Sequence, residues 1–419
     1  MNRYLVRGGK PLFGVVPVHG AKNSILPILA ATLLGRGVSV LHNCPDLADV
    51  TSSLAILSHL GCKVKREKDV VTVDAGALTR SDIPDHLMRE MRSSVIFLGG
   101  IIARLGEATI SYPGGCELGP RPVDIHLASL RSLGAVISET GGLLACTGDK
   151  MQGTIINLAL PSVGATENTM LAACGAQGVT TICNAAREPE IVDLQGFLRC
   201  MGAKVQGAGS SVITVQGGLP LHGGDYFVMS DRIVAATYLC AVASAGGEVE
   251  LHGVDYRNIS TISAILAEAG CHIRSCAQCV CIRKDECPLR GTGPIRTAPY
   301  PGFPTDAQAP VMAVLAKSRG TTVFVENIFT SRYRHVDELK RCGADINVEG
   351  RVAVVCGVPA LHGASLVSTD LRGGAALVVA ALGAEGRSEI SGINHIERGY
   401  EALERTLASL GADIKKAEG

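Results

Sequence analysis

The stretch DVTSSLAILSHLGCKVKREKDVVTVDAG (Asp49–Gly76) carries the pattern on which the fold turns. Val50, Leu54, Leu57 and Leu60 fall at i, i+4, i+7 and i+10, one apolar face of a helix. Gly61 ends that helix, because glycine reaches the left-handed conformation that a helix C-terminus commonly needs. The segment after Gly61 alternates and turns, which predicts a hairpin. Upstream, VSVLHN (Val38–Asn43) is rich in β-branched residues and predicts a strand.

The same signature recurs along the chain. It returns as LGAVI at Gly134, MGAKV at Gly202, AGCHI at Gly270, CGADI at Gly343 and LGADI at Gly411. Successive glycines are 73, 68, 68, 73 and 68 residues apart. Gly61 to Gly270, Gly134 to Gly343 and Gly202 to Gly411 each span 209 residues, a regularity that marks an internal duplication. Each copy also has a β-rich run upstream, in ATISY, TTICN, VELHG, TTVFVEN and SEISGIN. The unit is therefore helix, strand, helix and paired strands, about 70 residues long.

Six such units, three per half, predict an α/β fold of two similar domains. One spans residues 22–229, and the other joins residues 1–21 to residues 230–419. The opening residues have no place in the first unit, so they are expected to pair with the C-terminal half. The chain would then cross between domains near residues 20–22 and 228–232, with a ligand held in the cleft.

Composition narrows the function. With 419 residues and a hydrophobic fraction of 47%, the chain is long and apolar enough for two packed cores. Its net charge is zero, which argues against a nucleic-acid partner, and with 4% aromatics it lacks base-stacking platforms. The N-terminus, MNRYLVRGGKPLFG, has no signal-peptide pattern, and apolar runs fall short of a membrane span. Fifteen cysteines, an odd number, predict reduced thiols and a cytoplasmic location.

Several residues could carry chemistry. SYPGGCELGPRPVDIH (Ser111–His126) places Cys116 after two glycines, on an irregular loop, with Arg121 five residues on to lower the thiol pKa. The alternative is a small hydrophobe in a turn. GAKNS (Gly20–Ser24) puts Lys22 by a helix N-terminus, where free N–H groups favour an anion, provided Pro27 lies near the first turn. Read alone, Lys22 is a solvated lysine. Arg92, Arg332, Arg372 and Arg398 sit in turn-like contexts, where an isolated arginine is ordinarily a surface salt-bridge residue. In PTDAQAP, Asp306 looks like a turn former flanked by prolines. CHIRSCAQCVC holds Cys276 and Cys279 in a C-x-x-C with Cys271 and Cys281 nearby. It occupies the hairpin position of the fourth unit, so hairpin packing is preferred over zinc. His126 and His335, 209 residues apart, occupy equivalent positions and are expected to fix helix starts.

Together GAKN, MRSS, PGGCELGPRPVDIH, SVGATEN, AAREPEIVDL, RTAPYPGFPTDAQAP, STDLRGGAALV and HIERGYE resemble the UDP-N-acetylglucosamine 1-carboxyvinyltransferase family, in order from residue 3 to the C-terminus. The resemblance implies two inside-out α/β barrels and transfer of the enolpyruvyl group of phosphoenolpyruvate to the sugar 3-hydroxyl of UDP-N-acetylglucosamine. That is the first committed step of peptidoglycan synthesis. It implies that Lys22, Arg121 and Arg398 contact phosphoenolpyruvate, with Arg92 shaping the anion pocket. Cys116 would protonate the methylene carbon or aid product release, and would be the thiol alkylated by fosfomycin. Asp306 would take the proton from the 3-hydroxyl. Asp370 and Arg372 would belong to the catalytic and loop-closure set, and Arg332 to the substrate cleft. Asn23 would hold the amino sugar, with Ile328 near it. Arg121, Pro122, Val123 and Asp124, with Ser162, Val163 and Gly164, would hold the uridine diphosphate. No cofactor and no metal are implied.

The sequence departs from the family pattern at Val234, where many members carry glutamate, at Leu160 and Pro161, where some place a lysine, and in CPDLADV, which lacks lysines found in some members. These departures bear on nucleotide affinity and rate. A non-catalytic paralogue that binds a UDP-sugar, and the sibling 3-phosphoshikimate 1-carboxyvinyltransferase, stand as alternatives. The presence of Lys22, Cys116, Asp306 and Arg398 argues against the first, and the PGGC loop and GAKN start against the second.

Overall fold

Six helices end in the same way, and that ending organises the fold. A computed structural model describes residues 2–112 and 123–418, with Arg92 described in its backbone only. Helices Ala48–His59, Asp124–Ser132, Pro189–Cys200, Ser260–Ala269, His335–Arg341 and Leu403–Ser409 are each followed by one of the six repeated glycines, whose φ lies between 88° and 114°. In every copy the residue after the glycine donates its N–H to the carbonyl of a leucine five residues earlier. Cys62 reaches Leu57 at 3.0 Å, Ala203 reaches Leu198 at 2.9 Å, and Ala412 reaches Leu407 at 3.0 Å. This is the six-to-one bond of the Schellman motif, and it satisfies a carbonyl that the helix end would otherwise orphan. Both partners are buried, so the motif reads in sequence as leucine, three residues, glycine, then cysteine or alanine.

Beyond five of the six glycines the expected hairpin forms, as in Lys63–Glu67 against Val70–Asp74, with Val64 opposite Val73. Beyond Gly411 there is a single strand, and Arg3–Arg7 takes the place of the hairpin's other arm. Six sheets share one order. The strand after the inner helix is central, the hairpin pairs antiparallel on one side, and a strand of two to six residues pairs parallel on the other. Around Glu107–Ser111 these partners are Leu143–Thr147 and Asp82–Ile83. The chain's beginning completes two sheets. Arg3–Arg7 lies between Arg387–Ser391 and Asp413–Ala417, and Leu12–Pro17 runs parallel to Gly247–His252.

The described chain divides into two units, residues 2–19 with 230–418, and residues 20–112 with 123–229. Each unit has its own apolar core. In each, three helices lie inside: Arg232–Ala245, Thr305–Leu315 and Leu371–Gly383 in the first, Lys22–Ala31, Phe97–Leu105 and Val163–Gly175 in the second. Every residue from Arg372 to Gly383 is buried. Helices within and sheets without make each unit an inside-out α/β barrel of three repeats. Among the described residues, no helix is long and apolar enough to cross a membrane.

Two local expectations are corrected. Pro27 is the sixth residue of Lys22–Ala31, not a first-turn residue, and Pro310 holds the same place in Thr305–Leu315. Each removes one helical N–H, yet both helices continue because packing on the other inner helices outweighs the loss. Asp306 is no turn former. It lies in the first turn of Thr305–Leu315, where its charge suits the helix dipole.

Candidate active site

In the unit of residues 20–229, Lys22 is the first residue of its helix, and the preceding Ala21 is extended and offers no side-chain cap. Its Nζ lies 2.6 Å from Asp49 Oδ2, the two side chains being 11% and 4% exposed. The solvated lysine expected from sequence is thus a buried ion pair, with a partner 27 residues away. Removing either member would cost the other its ion-pair partner at 2.6 Å. Asn23 follows, exposed, and Ser24 donates its hydroxyl to Asp193. Asp193 also accepts from the Tyr226 hydroxyl at 2.8 Å and from the Met229 N–H at 3.2 Å, while burial pushes its carboxyl above the usual range.

Ser162 caps the helix Val163–Gly175 by accepting from Ala165 N–H at 3.4 Å, which leaves Val163 and Gly164 in its first turn. Gly164 faces His126. A Cβ there would stand 3.1 Å from the ring, so any larger residue would have to push the ring back by a few tenths of an ångström. His126 is buried and its pKa is pushed down to about 4 by desolvation, so the ring is neutral at pH 7. Asn168 accepts from Gly99 N–H at 2.6 Å, which orients its amide to donate to His126 Nδ1 at 3.1 Å. The ring proton is therefore on Nε2. Asp124 is the first residue of the helix that carries His126, and Val123 precedes it, buried. Cys116, Arg121 and Pro122 lie outside the described residues, as does the Arg92 side chain. Leu160 is exposed, two residues before Ser162.

Glu167, on the same helix, is fully buried, and burial together with Glu190 and Glu188 raises its pKa well above normal. Its burial favours the protonated form. Sequence reading assigned it no role, although SVGATEN contains it.

In the other unit Asp306 is held by two arginines. Its Oδ1 accepts from Arg332 Nη2 at 2.6 Å, and its Oδ2 from Arg372 Nε at 3.2 Å and Nη2 at 3.1 Å. Both arginines are 3% exposed and Asp306 is 26% exposed, so neither arginine is the surface residue its local sequence suggested. Arg332 also donates to the Thr305 carbonyl and lies over the Phe329 ring, which locks the fork in place. Arg372 is not in a turn but in the first turn of Leu371–Gly383, over the Tyr400 ring. Burial works against its charge, but Tyr400, Asp306 and Asp231 more than restore it.

Asp370 caps that helix, its Oδ1 accepting from Arg372 N–H at 3.0 Å and Gly373 N–H at 2.8 Å. Its Oδ2 is buried and has no hydrogen-bond partner among the described residues. His335 starts its own helix nearby, and desolvation pushes its pKa to about 4 against the opposing effect of Asp370. Arg398 follows the short helix Asn394–Glu397 and is half-buried. Ile328 is held by Glu326, which sequence reading missed. That buried carboxylate accepts from Thr297 at 3.0 Å, Thr305 at 2.9 Å, Ile328 N–H at 2.8 Å and Phe329 N–H at 3.1 Å. It ties the Ile328 loop to the start of the Asp306 helix. Only its place in TTVFVEN, at the end of an apolar strand, hinted at this. Val234 is fully buried in its helix, its N–H bonded to the cap Asp231.

The arrangement offers a carboxylate oriented by two guanidiniums, and a lysine at a helix start. The fold is shared with enolpyruvyl transferases. The enolpyruvyl transferase NikO from Streptomyces tendae superposes with a TM-score of 0.90 at 25% identity, covering 100% of this chain and 99% of that one. EPSP synthase from Acinetobacter baumannii superposes with a TM-score of 0.79 at 20% identity, covering 100% of both. A family model described as EPSP synthase (3-phosphoshikimate 1-carboxyvinyltransferase) matches residues 6–407. In sequence, UDP-N-acetylglucosamine 1-carboxyvinyltransferase 2 of Caldanaerobacter subterraneus subsp. tengcongensis is 50% identical over 99% of both chains. UDP-N-acetylglucosamine 1-carboxyvinyltransferase of Sorangium cellulosum is 44% identical over 100% of this chain and 99% of that one. The chain belongs to the UDP-N-acetylglucosamine 1-carboxyvinyltransferase family of enolpyruvyl transferases.

Proposed function

We propose that the protein transfers the enolpyruvyl group of phosphoenolpyruvate to the 3-hydroxyl of UDP-N-acetylglucosamine, with release of phosphate, as the first committed step of peptidoglycan synthesis. The observation that carries this reading is full-length identity of 42–50% to relatives bearing that activity in their names. The geometry around Asp306 and Lys22 supports it. Asp306 accepts the proton of the sugar hydroxyl as the C–O bond forms, because Arg332 and Arg372 orient both its oxygens and compensate its charge. Lys22 meets the phosphate or carboxylate of phosphoenolpyruvate at a helix N-terminus, where its pairing with Asp49 sets its position.

Arg398, Arg92 and Arg121 supply further positive charge to that anion, and Asn23 and Ile328 hold the amino sugar. Pro122, Val123 and Asp124, with the capped helix start Ser162, Val163 and Gly164, take the uridine diphosphate. Cys116 protonates the methylene carbon or aids product release. Asp370 orders the Arg372 helix start through its two backbone hydrogen bonds, and its unpartnered oxygen gives it capacity for a proton. No metal is required, since arginines and lysine provide the charge. The described cysteines are all free thiols, which suits a reducing cytoplasm.

Phosphate release from phosphoenolpyruvate, measured with UDP-N-acetylglucosamine and separately with shikimate 3-phosphate, tests the assignment. Turnover with the nucleotide sugar alone is expected. Turnover with shikimate 3-phosphate alone, or with neither, would overturn it.

A further inference from the structure

We propose that the outer face of the sheet containing Gly247–His252 binds a thiophilic divalent cation of the zinc class through Cys276, Cys279, His252 and Glu250. Strand register brings these side chains together. In Cys279–Lys284, Val280 and Ile282 are fully buried, so Cys279 and Cys281 belong to the opposite face. In Gly247–His252, Val249 and Leu251 enter the core and leave Glu250 and His252 outside. His252 stands directly opposite Cys279 on one side, and Cys276 opposite it on the other, across the two-residue turn Ala277–Gln278. Donors from three adjacent strands thus surround one thiol.

Cys279 Sγ donates to Glu250 Oε1 at 3.0 Å, and His252 Nε2 lies 2.6 Å from the same oxygen. Cys276 faces Cys279 as its partner across the hairpin. The ligand atoms of Glu250, His252 and Cys279 lie within 4.8 Å of one another. Tetrahedral zinc, with bonds of about 2.0–2.3 Å, spaces its ligand atoms roughly 3.3–3.8 Å apart, close to the spacing of these three, and the exposed Cys276 opposite Cys279 turns inward to supply the fourth ligand. Two thiolates, an imidazole and a carboxylate suit zinc and not the oxygen-seeking magnesium or calcium. On binding, the metal takes the place of one proton on each thiol, and two protons leave to solvent. The site uses a C-x-x-C, but its other ligands come from a neighbouring strand and not from Cys271 or Cys281. Cys271 is buried in the core, and Cys281 is bonded to Glu248 at 3.6 Å. None of the four ligands belongs to the clusters around Lys22 or Asp306.

The test uses the full-length protein, stripped with chelator, kept reduced and titrated with cobalt(II) alone, then with zinc(II) in competition. Thiolate-to-cobalt charge-transfer bands with tetrahedral visible bands should saturate near about one equivalent. They should vanish in Cys279→Ser and in the exposed-site variant Cys276→Ser, and affinity should fall at least about tenfold in His252→Ala. Cys287→Ser should keep them. No bands in the wild type would overturn the proposal. So would bands that survive Cys276→Ser and Cys279→Ser, or that are lost in Cys116→Ser instead.

Discussion

Asp306→Ala separates two properties that one carboxylate combines. In the structure Asp306 neutralises two guanidiniums that are each 3% exposed, so its loss leaves two buried cations without their shared partner. Breaking a buried pair by removing one partner costs about 3–5 kcal/mol. Asp306 itself is 26% exposed, which brings in water and favours the lower end of that range. Asp306→Asn keeps an acceptor for one arginine and should lose about 1–3 kcal/mol, the penalty of an incompletely satisfied buried group. Catalysis should not follow that order. Neither variant has a base, so kcat should fall at least about 100-fold in both, the lower end of what a positioned base contributes. Binding of UDP-N-acetylglucosamine should stay within about tenfold, roughly 1.4 kcal/mol.

Urea unfolding, calorimetric titration with the nucleotide sugar and phosphate release measure the three quantities on the same preparations. A near-normal kcat with collapsed binding would show that Asp306 holds the sugar and is not the base. Unchanged stability in Asp306→Ala would refute the charge argument.

Cys116→Ser is expected to abolish fosfomycin labelling and to slow turnover severely, read by intact mass and by phosphate release. An adduct on another cysteine refutes the assignment. Glu167 holds its proton in the folded state at pH values where the unfolded chain, with a normal carboxyl near pH 4.3, has released it. Wild-type stability is therefore lost as pH rises above that value, and Glu167→Gln should gain on wild type as pH rises from about 5 in urea melts. A constant difference across that range counts against a buried acid. His126 has the opposite sign. Its folded pKa, about 4, lies below the unfolded value of 6.5, so its contribution is present above pH 6.5 and is lost as pH falls toward 4. The loss is at most about 3 kcal/mol, and His335 adds in the same direction. His126→Gln should flatten the slope of stability between pH 6.5 and pH 4.5, and an unaltered slope would show that the ring titrates normally.

The repeats were legible because each is written in a few neighbouring residues. A leucine, a glycine four places on and a small residue after it are enough to specify a helix end. The alternation that follows specifies a hairpin, since side chains of a strand alternate between faces. The parallel edge strands were not legible. Asp82–Ile83 and Ile295–Arg296 have two residues each, too few to show any period, and they become strands only through a neighbour already in place.

The candidate site divides along the same line. Read locally, Lys22, Asp306, Arg332 and Arg372 look like ordinary solvated, turn or surface residues and the family resemblance gave them roles, because their surroundings depend on the chain returning from far away. Lys22 finds Asp49, Asp306 finds Arg332 26 residues on and Arg372 66 residues on, and Cys279 finds Glu250 29 residues back. Burial and charge compensation are properties of that return. The amino-acid sequence by itself determined the repeat, its helix ends, its hairpins and the family. Tertiary structure alone decided which charges are buried and which partner each one meets, because electrostatic energy in a protein depends on distance and solvent exclusion, and neither is a function of position along the chain.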